Sequence, residues 1–507
     1  MCIRDRDYRQ AWQIGHIGYG HIYNYIHYEL ERPEPTNFRA KQRFPVDVNG
    51  DKKSDIILSW QDPVQGLRVR SKISNGDGTF RNVEQKMGDG PCNKKNMPLM
   101  SGYFNDDLFT DILIPCHHKT RGLLLRTKMS NGDGTYVEES YDAGDGVNVL
   151  DMTPFVGDVN KDGLSDVILR YQASDGLHIR TKFSNGDGSF NEHDFRAGDG
   201  DLGEHQRAHV GDVNADKRTD LIYLFRRGSD GKMDIRTRTS NGDGTYTLKT
   251  HPHVSGINWD NIQTFVADVN RDRRSDLIVL TRDNDFKLTV RTFIMQADGS
   301  FNLVTEDFPD GLEVDSLETV IADINGDLRS DIVMRVRDNT QGLIIRVKQS
   351  DGDGTYTAKE FTAGDHGHVD DMRILTGNYD DARLADLALR FRHSTNGLYI
   401  RTKLGTSAGS FTEKEFRAGD GSGVDIKEAL SGTTRWSGGG TFNYNQSNSS
   451  PGGLAVAAPK EKVTPGSKLP VGAVGRPLVG PAAPSRPAVV EPKRAAPSKA
   501  PVPQRSK

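Results

Sequence analysis

The 507-residue chain has only three cysteines, Cys2, Cys92 and Cys116, with no C-x-x-C spacing and no partnering histidines. That excludes a zinc module and a disulfide framework. Cys92 and Cys116 are expected as buried free thiols, a single bridge being the alternative. No apolar run approaches the length needed to cross a bilayer, so membrane insertion is not expected. A basic excess is also missing, because the formal net charge is -4. From Pro451 onward ten Lys or Arg stand against Glu461 and Glu491, which leaves -12 on the remainder and speaks against nucleic acid as a partner. There is no nucleophile–base pair, phosphate loop or paired-acid constellation outside the turns described next, so the chain is not expected to be an enzyme.

What the chain has in quantity is one acidic turn. Asp47-Val-Asn-Gly-Asp-Lys-Lys-Ser-Asp55 returns six times at intervals of 54 to 56 residues. Four further copies keep oxygen-bearing side chains at positions 1, 3, 5 and 9: Asp158, Asn160, Asp162 and Asp166; Asp212, Asn214, Asp216 and Asp220; Asp268, Asn270, Asp272 and Asp276; Asp323, Asn325, Asp327 and Asp331. Two copies have decayed. Tyr103 replaces the first carboxylate of the turn ending at Asp111, and Ala382 replaces the fifth-position residue of the turn ending at Asp386.

Four oxygen ligands alternating along a tight turn suit a hard cation, and calcium accepts six to eight oxygens at flexible geometry. The plainer reading is that Asp and Asn mark turns by bonding their own backbone. Turn formation needs one such residue, whereas five copies fill all four positions, with Asp47, Asn49, Asp51 and Asp55 in the first. About five calcium sites are therefore expected. An EF-hand is excluded, since Lys52 and Leu58 occupy the places of its Gly and Glu, and the turn runs into the short strand-like Ile56-Ile-Leu-Ser-Trp60.

Each repeat reads as four short strands. In the first copy these are Gln42 to Val46, Asp55 to Trp60, Leu67 to Ile73 and Thr79 to Glu84, the last pair joined by the hairpin signal Asn75-Gly-Asp-Gly78. An aromatic follows that turn in every copy, at Phe80, Tyr136, Phe190, Tyr246, Phe301, Tyr356 and Phe411, and is expected to fill a core slot rather than stack on sugars. Arginine recurs in the third strand at Arg70, Arg126, Arg180, Arg236, Arg291, Arg346 and Arg401, each expected to pair with a carboxylate of its own or the neighbouring unit.

Seven four-stranded units of about 55 residues, with no helical pattern between them, imply an all-β, seven-bladed β-propeller, which removes exposed sheet edges. The segment Val424 to Leu430 could begin an eighth blade or complete the first. The pairing of D-x-N-x-D-x-x-x-D with a downstream N-G-D-G-[TS]-[FY] resembles the FG-GAP or VCBS repeats of integrin-α-like propellers, over roughly three quarters of the chain. That resemblance implies calcium in the loops of individual blades. One departure stands out: the family's Gly at position 6 survives only as Gly163, with Lys52, Lys217, Arg273 and Leu328 elsewhere.

The flanks differ. Residues 1–6 resemble a translated sequencing-library adaptor and are set aside, so a missing signal peptide carries no information. Residues 7–37, with His16, His21 and His27, are expected to be the end of a lost upstream region. The propeller spans 38–431, and 432–507 is a Gly/Ser then Pro/Ala/Lys-rich tail expected to be disordered. Two functions follow. The first is an extracellular or cell-surface module that binds protein or carbohydrate on one propeller face. The second is the accessory propeller of a larger secreted enzyme or toxin. The ligand and oligomeric state are left open.

Overall fold

A computed structural model describes residues 46–430, apart from 63–65, 88–98, 119–121, 144–152, 174, 199–203, 283–286, 310–317, 339–341, 363–372, 381, 383, 394–396, 407–409 and 418–427. The expected adaptor-derived start, the upstream segment, the tail and Cys92 lie outside the described residues.

The strands group into seven four-stranded antiparallel sheets arranged as blades in a ring. The fifth blade shows how the sequence dictates this, with strands Ile262–Ala267, Asp276–Arg282, Leu288–Met295 and Phe301–Phe308 in consecutive pairing. Its second strand, Asp-Leu-Ile-Val-Leu-Thr-Arg, is buried at every residue but the last because a neighbouring blade covers each face. Outer strands face solvent, so Phe80–Lys86 alternates between half-buried and exposed after its buried aromatic. Inner strands of adjacent blades touch one another, as strands nearest the axis of a ring must.

Seven blades, not eight, close the ring. The inner place of the first blade belongs to Glu428–Leu430 from the far end of the chain, which pairs with Ile57, Leu58 and Ser59. Of the inner strand expected at Gln42 to Val46 only Val46 is among the described residues; its carbonyl accepts the Asp55 N–H at 2.6 Å.

A relay of backbone hydrogen bonds runs round the ring. In each turn the N–H at position 8 donates to the position-1 carbonyl of the preceding blade: Thr110 to Asp47, Ser165 to Tyr103, Thr219 to Asp158, Ser275 to Asp212, Ser330 to Asp268, Ala385 to Asp323 and, across the closure, Ser54 to Asn378, all at 2.6–3.0 Å. The turn aromatics pack between blades as expected. Phe190 lies edge-on to Tyr141 of the previous blade, Phe411 to Phe361, and Phe80 to Phe416 at 5.7 Å, which again crosses the closure. Where the aromatic is Tyr136, Tyr246 or Tyr356, its hydroxyl meets Ser71, Thr181 or Thr292 of the preceding blade at 3.0–3.1 Å.

Truncating the chain after residue 427 removes the closing strand, whereas truncating after 431 keeps it. The shorter protein should melt at least about 5 °C below the longer one in a calorimetric scan, since the inner face of the first blade is uncovered. Equal melting temperatures would contradict closure by this strand.

Candidate metal centres

Each acidic turn links the inner strand of a blade to its second strand, and its side chains first serve the backbone. In the turn Asp158 to Asp166, Asp158 accepts N–H bonds from Lys161 (2.6 Å), Asp162 (3.2 Å) and Gly163 (3.0 Å). Asn160 accepts from the Asp162 N–H at 3.0 Å and donates its own amide to Asp162 Oδ2 at 2.8 Å. Asp162 Oδ1 takes the Leu164 N–H at 2.8 Å. The same pattern returns around Asp47, Asp212, Asp268 and Asp323. Burial pushes the pKa of all five position-1 carboxyls up, against the pull of those N–H groups.

Closing the turn this tightly requires a left-handed residue at position 6. Gly163 meets that freely at φ 92°, whereas Lys52, Lys217, Arg273 and Leu328 are held at φ 68–71° despite their side chains. The family's missing glycine therefore leaves the turn intact at the cost of local strain.

Position 9 is placed differently from the other three. Asp55, Asp166, Asp220, Asp276 and Asp331 are fully buried, as are Asp111 and Asp386 of the decayed copies. In every one, Oδ2 accepts the N–H of position 2 and Oδ1 accepts an N–H from the end of the third strand; for Asp276 these come from Val269 (3.0 Å) and Met295 (2.8 Å). The structure thus gathers positions 1, 3 and 5 at the mouth of the turn and turns position 9 into the blade. Burial, opposed by the two N–H bonds, pushes Asp55 and Asp166 up to about 8 and Asp111, Asp331 and Asp386 to about 7.

Whether calcium suits these turns depends on the mouth oxygens. Among the described residues no group of three His, Cys, Asp or Glu side chains is gathered to hold an ion, so a cation here must also draw on asparagine and backbone oxygens. Asp158, Asn160 and Asp162 fit that demand, because Asp158 Oδ2, Asn160 Oδ1 and both Asp162 oxygens each accept one bond and keep a second lone pair, only Asp158 Oδ1 taking two, and, among the described residues, no basic side chain sits on Asp162. In the other four turns the position-5 carboxylate carries a cation of its own. Lys53 lies 3.6 Å from Asp51, Arg218 3.4 Å from Asp216, Arg274 2.8 Å from Asp272 and Arg329 2.6 Å from Asp327.

The third-strand arginines serve their own blades. Arg70 pairs with Glu84, Arg126 with Glu138, Arg180 with Asp194, Arg346 with Glu360 and Arg401 with Glu415. Arg236 instead lies 4.7 Å over the Phe225 ring, and Arg291 donates to Thr281 and to the Gly256 carbonyl. Two features escaped the sequence reading. Lys128, Lys182 and Arg238 are buried between blades and reach carbonyls of the preceding blade, Met87, Ala143 and Ala197. Cys116 is disulfide-bonded, which corrects the expectation of a free thiol; its partner lies outside the described residues.

The sequence profile of the FG-GAP-like repeat matches residues 212–279 and 268–334, which hold three of the intact turns. The chain is a seven-bladed β-propeller that carries FG-GAP-like repeats. Among solved structures, this propeller is similar to an Agrocybe aegerita lectin described as recognising non-reducing terminal N-acetylglucosamine, with 16% identity, 74% of this chain and 93% of the lectin covered, and a TM-score of 0.55. A six-bladed, fucose-recognising Aleuria aurantia lectin is also similar, at 14% identity over 62% of this chain and 97% of the lectin, but its TM-score of 0.28 is too low to build on. A search of curated proteins finds no significant match. At these identities the likeness establishes the fold alone.

Two outcomes test the turns. Replacing Leu328, half-exposed at φ 69°, by Gly should raise stability by up to about 1 kcal/mol in urea unfolding, because the left-handed strain is released; a loss would contradict the strain. The seven position-9 carboxyls bind protons more tightly in the folded chain than their unfolded value near 4. The native state therefore holds more protons across the interval from about 4 to about 8, and stability falls as pH rises through it. The melting temperature at pH 5 should exceed that at pH 8.5, and the reverse order would show that the N–H bonds outweigh burial.

Proposed function

We propose that the chain is an extracellular or cell-surface recognition module that grips a protein or glycan on one propeller face and uses calcium as a structural ion. The observation that carries this is the closed ring itself. Antiparallel pairing sends the acidic turn and the hairpin between the third and fourth strands to the same rim of a blade, and the bridges from Gly76 and Asp77 to Asp380 join the two sets across the closure. Such a ring presents a broad, rigid rim of loops on a scaffold whose strands are committed to packing. The lectin relative supports a glycan as the bound class. An oxidised Cys116 supports an oxidising compartment, and calcium at millimolar levels is also found outside the cytosol. Among the described residues no helix is long and apolar enough to cross a membrane.

In this reading Asp158, Asn160 and Asp162 hold the ion, with Asp166 bracing the turn from behind, and the ion stiffens the rim rather than performing chemistry. A site filled ten to a hundred times above its Kd adds about 1.4 to 2.7 kcal/mol. Glycan-array and surface pull-down screens with the full chain in calcium should return a saturable ligand that competes with itself in solution. No ligand in either screen would overturn the recognition reading.

A further inference from the structure

We propose that basic side chains at position 7 take the place of the metal ion in four of the five intact turns, so that the turns of Asp47, Asp212, Asp268 and Asp323 keep their shape without calcium. The inference deepens the calcium reading by assigning which turns escape it.

The observation is a contrast within one chain. In all five turns the position-5 carboxylate accepts, through Oδ2, the side-chain amide of the position-3 asparagine at 2.8–3.2 Å, so this oxygen looks across the mouth where an ion would sit. In four turns the residue two places on is Lys53, Arg218, Arg274 or Arg329, and its cationic head lies 2.6–3.6 Å from that same Oδ2. In the fifth it is Leu164, which brings no charge.

The two best-formed pairs are also anchored elsewhere. Arg274 Nε donates to the Met295 carbonyl at 3.2 Å, and Arg329 Nη1 donates to the Asp351 carbonyl at 2.9 Å, so each guanidinium ties its turn to the end of the third strand or the hairpin of its own blade. A planar guanidinium holds a carboxylate while using its remaining N–H groups on carbonyls, a geometry that an ammonium fits less well and a departing side chain gives up entirely. Position decides more than the number of cations. The Asp323 turn sets only Arg329 against three aspartates, and the Asp158 turn sets only Lys161 against three, but Arg329 stands at position 7 and Lys161 does not. A divalent ion entering the four turns has to displace a resident cation from the oxygen it needs. At the Asp158 turn it displaces none.

The experiment uses the full chain stripped with chelator. Calorimetric titration with calcium alone should show at most one ion bound per chain, and four or five ions would overturn the proposal. The double variant Arg274→Gln, Arg329→Gln, melted in chelator, should fall below wild type by about 2 to 5 °C, since two partly buried ion pairs are lost; an unchanged melt would overturn it. Leu164→Arg supplies the missing cation and should abolish the single calcium event while leaving the melt in chelator near wild type; retained binding would overturn the substitution. No ion bound by wild type, together with a destabilised double variant, sustains the proposal for the four turns and removes calcium from the Asp158 turn, so the two readings fail separately.

Discussion

The structure depends on a carboxylate with no water around it. Each position-9 aspartate is buried at the start of a second strand and takes two backbone N–H groups, one from the turn that precedes it and one from the end of the third strand. One side chain thus ties three consecutive segments of a blade together. Leaving either N–H unpaired in that setting costs about 1–3 kcal/mol. The arrangement is present in all seven blades, including the two whose turns have lost a mouth residue.

From this anchor the ring follows. With position 9 fixed, the N–H at position 8 points at the preceding blade, and the seven resulting bonds form a closed relay in which Ser54 completes the circuit with Asn378. The third-strand serines repeat the theme, since Ser130, Ser184, Ser240 and Ser350 donate to the position-2 carbonyl of the blade before, and Ser74 does so across the closure. Local turn chemistry and ring assembly are in this way one hydrogen-bonded system. The mouth of each turn is left to vary, which is where Tyr103, Ala382 and the position-7 cations appear.

Much of the architecture was legible in the sequence. The repeat interval gave the blade, the N-G-D-G signal gave the hairpin, and the recurring aromatics gave the packing between blades, because each is a local signal repeated along the chain. The closure was less legible: the three residues Glu428–Leu430 carry too little pattern to reveal whether they start a blade or finish one, and only the pairing with Ile57, Leu58 and Ser59 decides it. The candidate site was half legible. Spacing shows that Asp276 and Asp268 belong to one turn, but it cannot show that one faces the core and the other the mouth. A sequence signal did exist, since position 9 is Asp in all seven copies while positions 1 and 5 both vary. The buried Lys128 and Lys182 were illegible, because in an alternating strand a lysine marks the solvent face, and here the neighbouring blade has covered that face.

The most direct test is residue-resolved hydrogen exchange at the seven position-2 amides, Val48, Phe104, Val159, Val213, Val269, Ile324 and Tyr379, in the presence of chelator. Anchoring by the buried carboxylates predicts comparable, strong protection at all seven, with Phe104 and Tyr379 of the decayed turns as slow as the rest. Fast exchange confined to those two, or loss of protection throughout once calcium is removed, would contradict it.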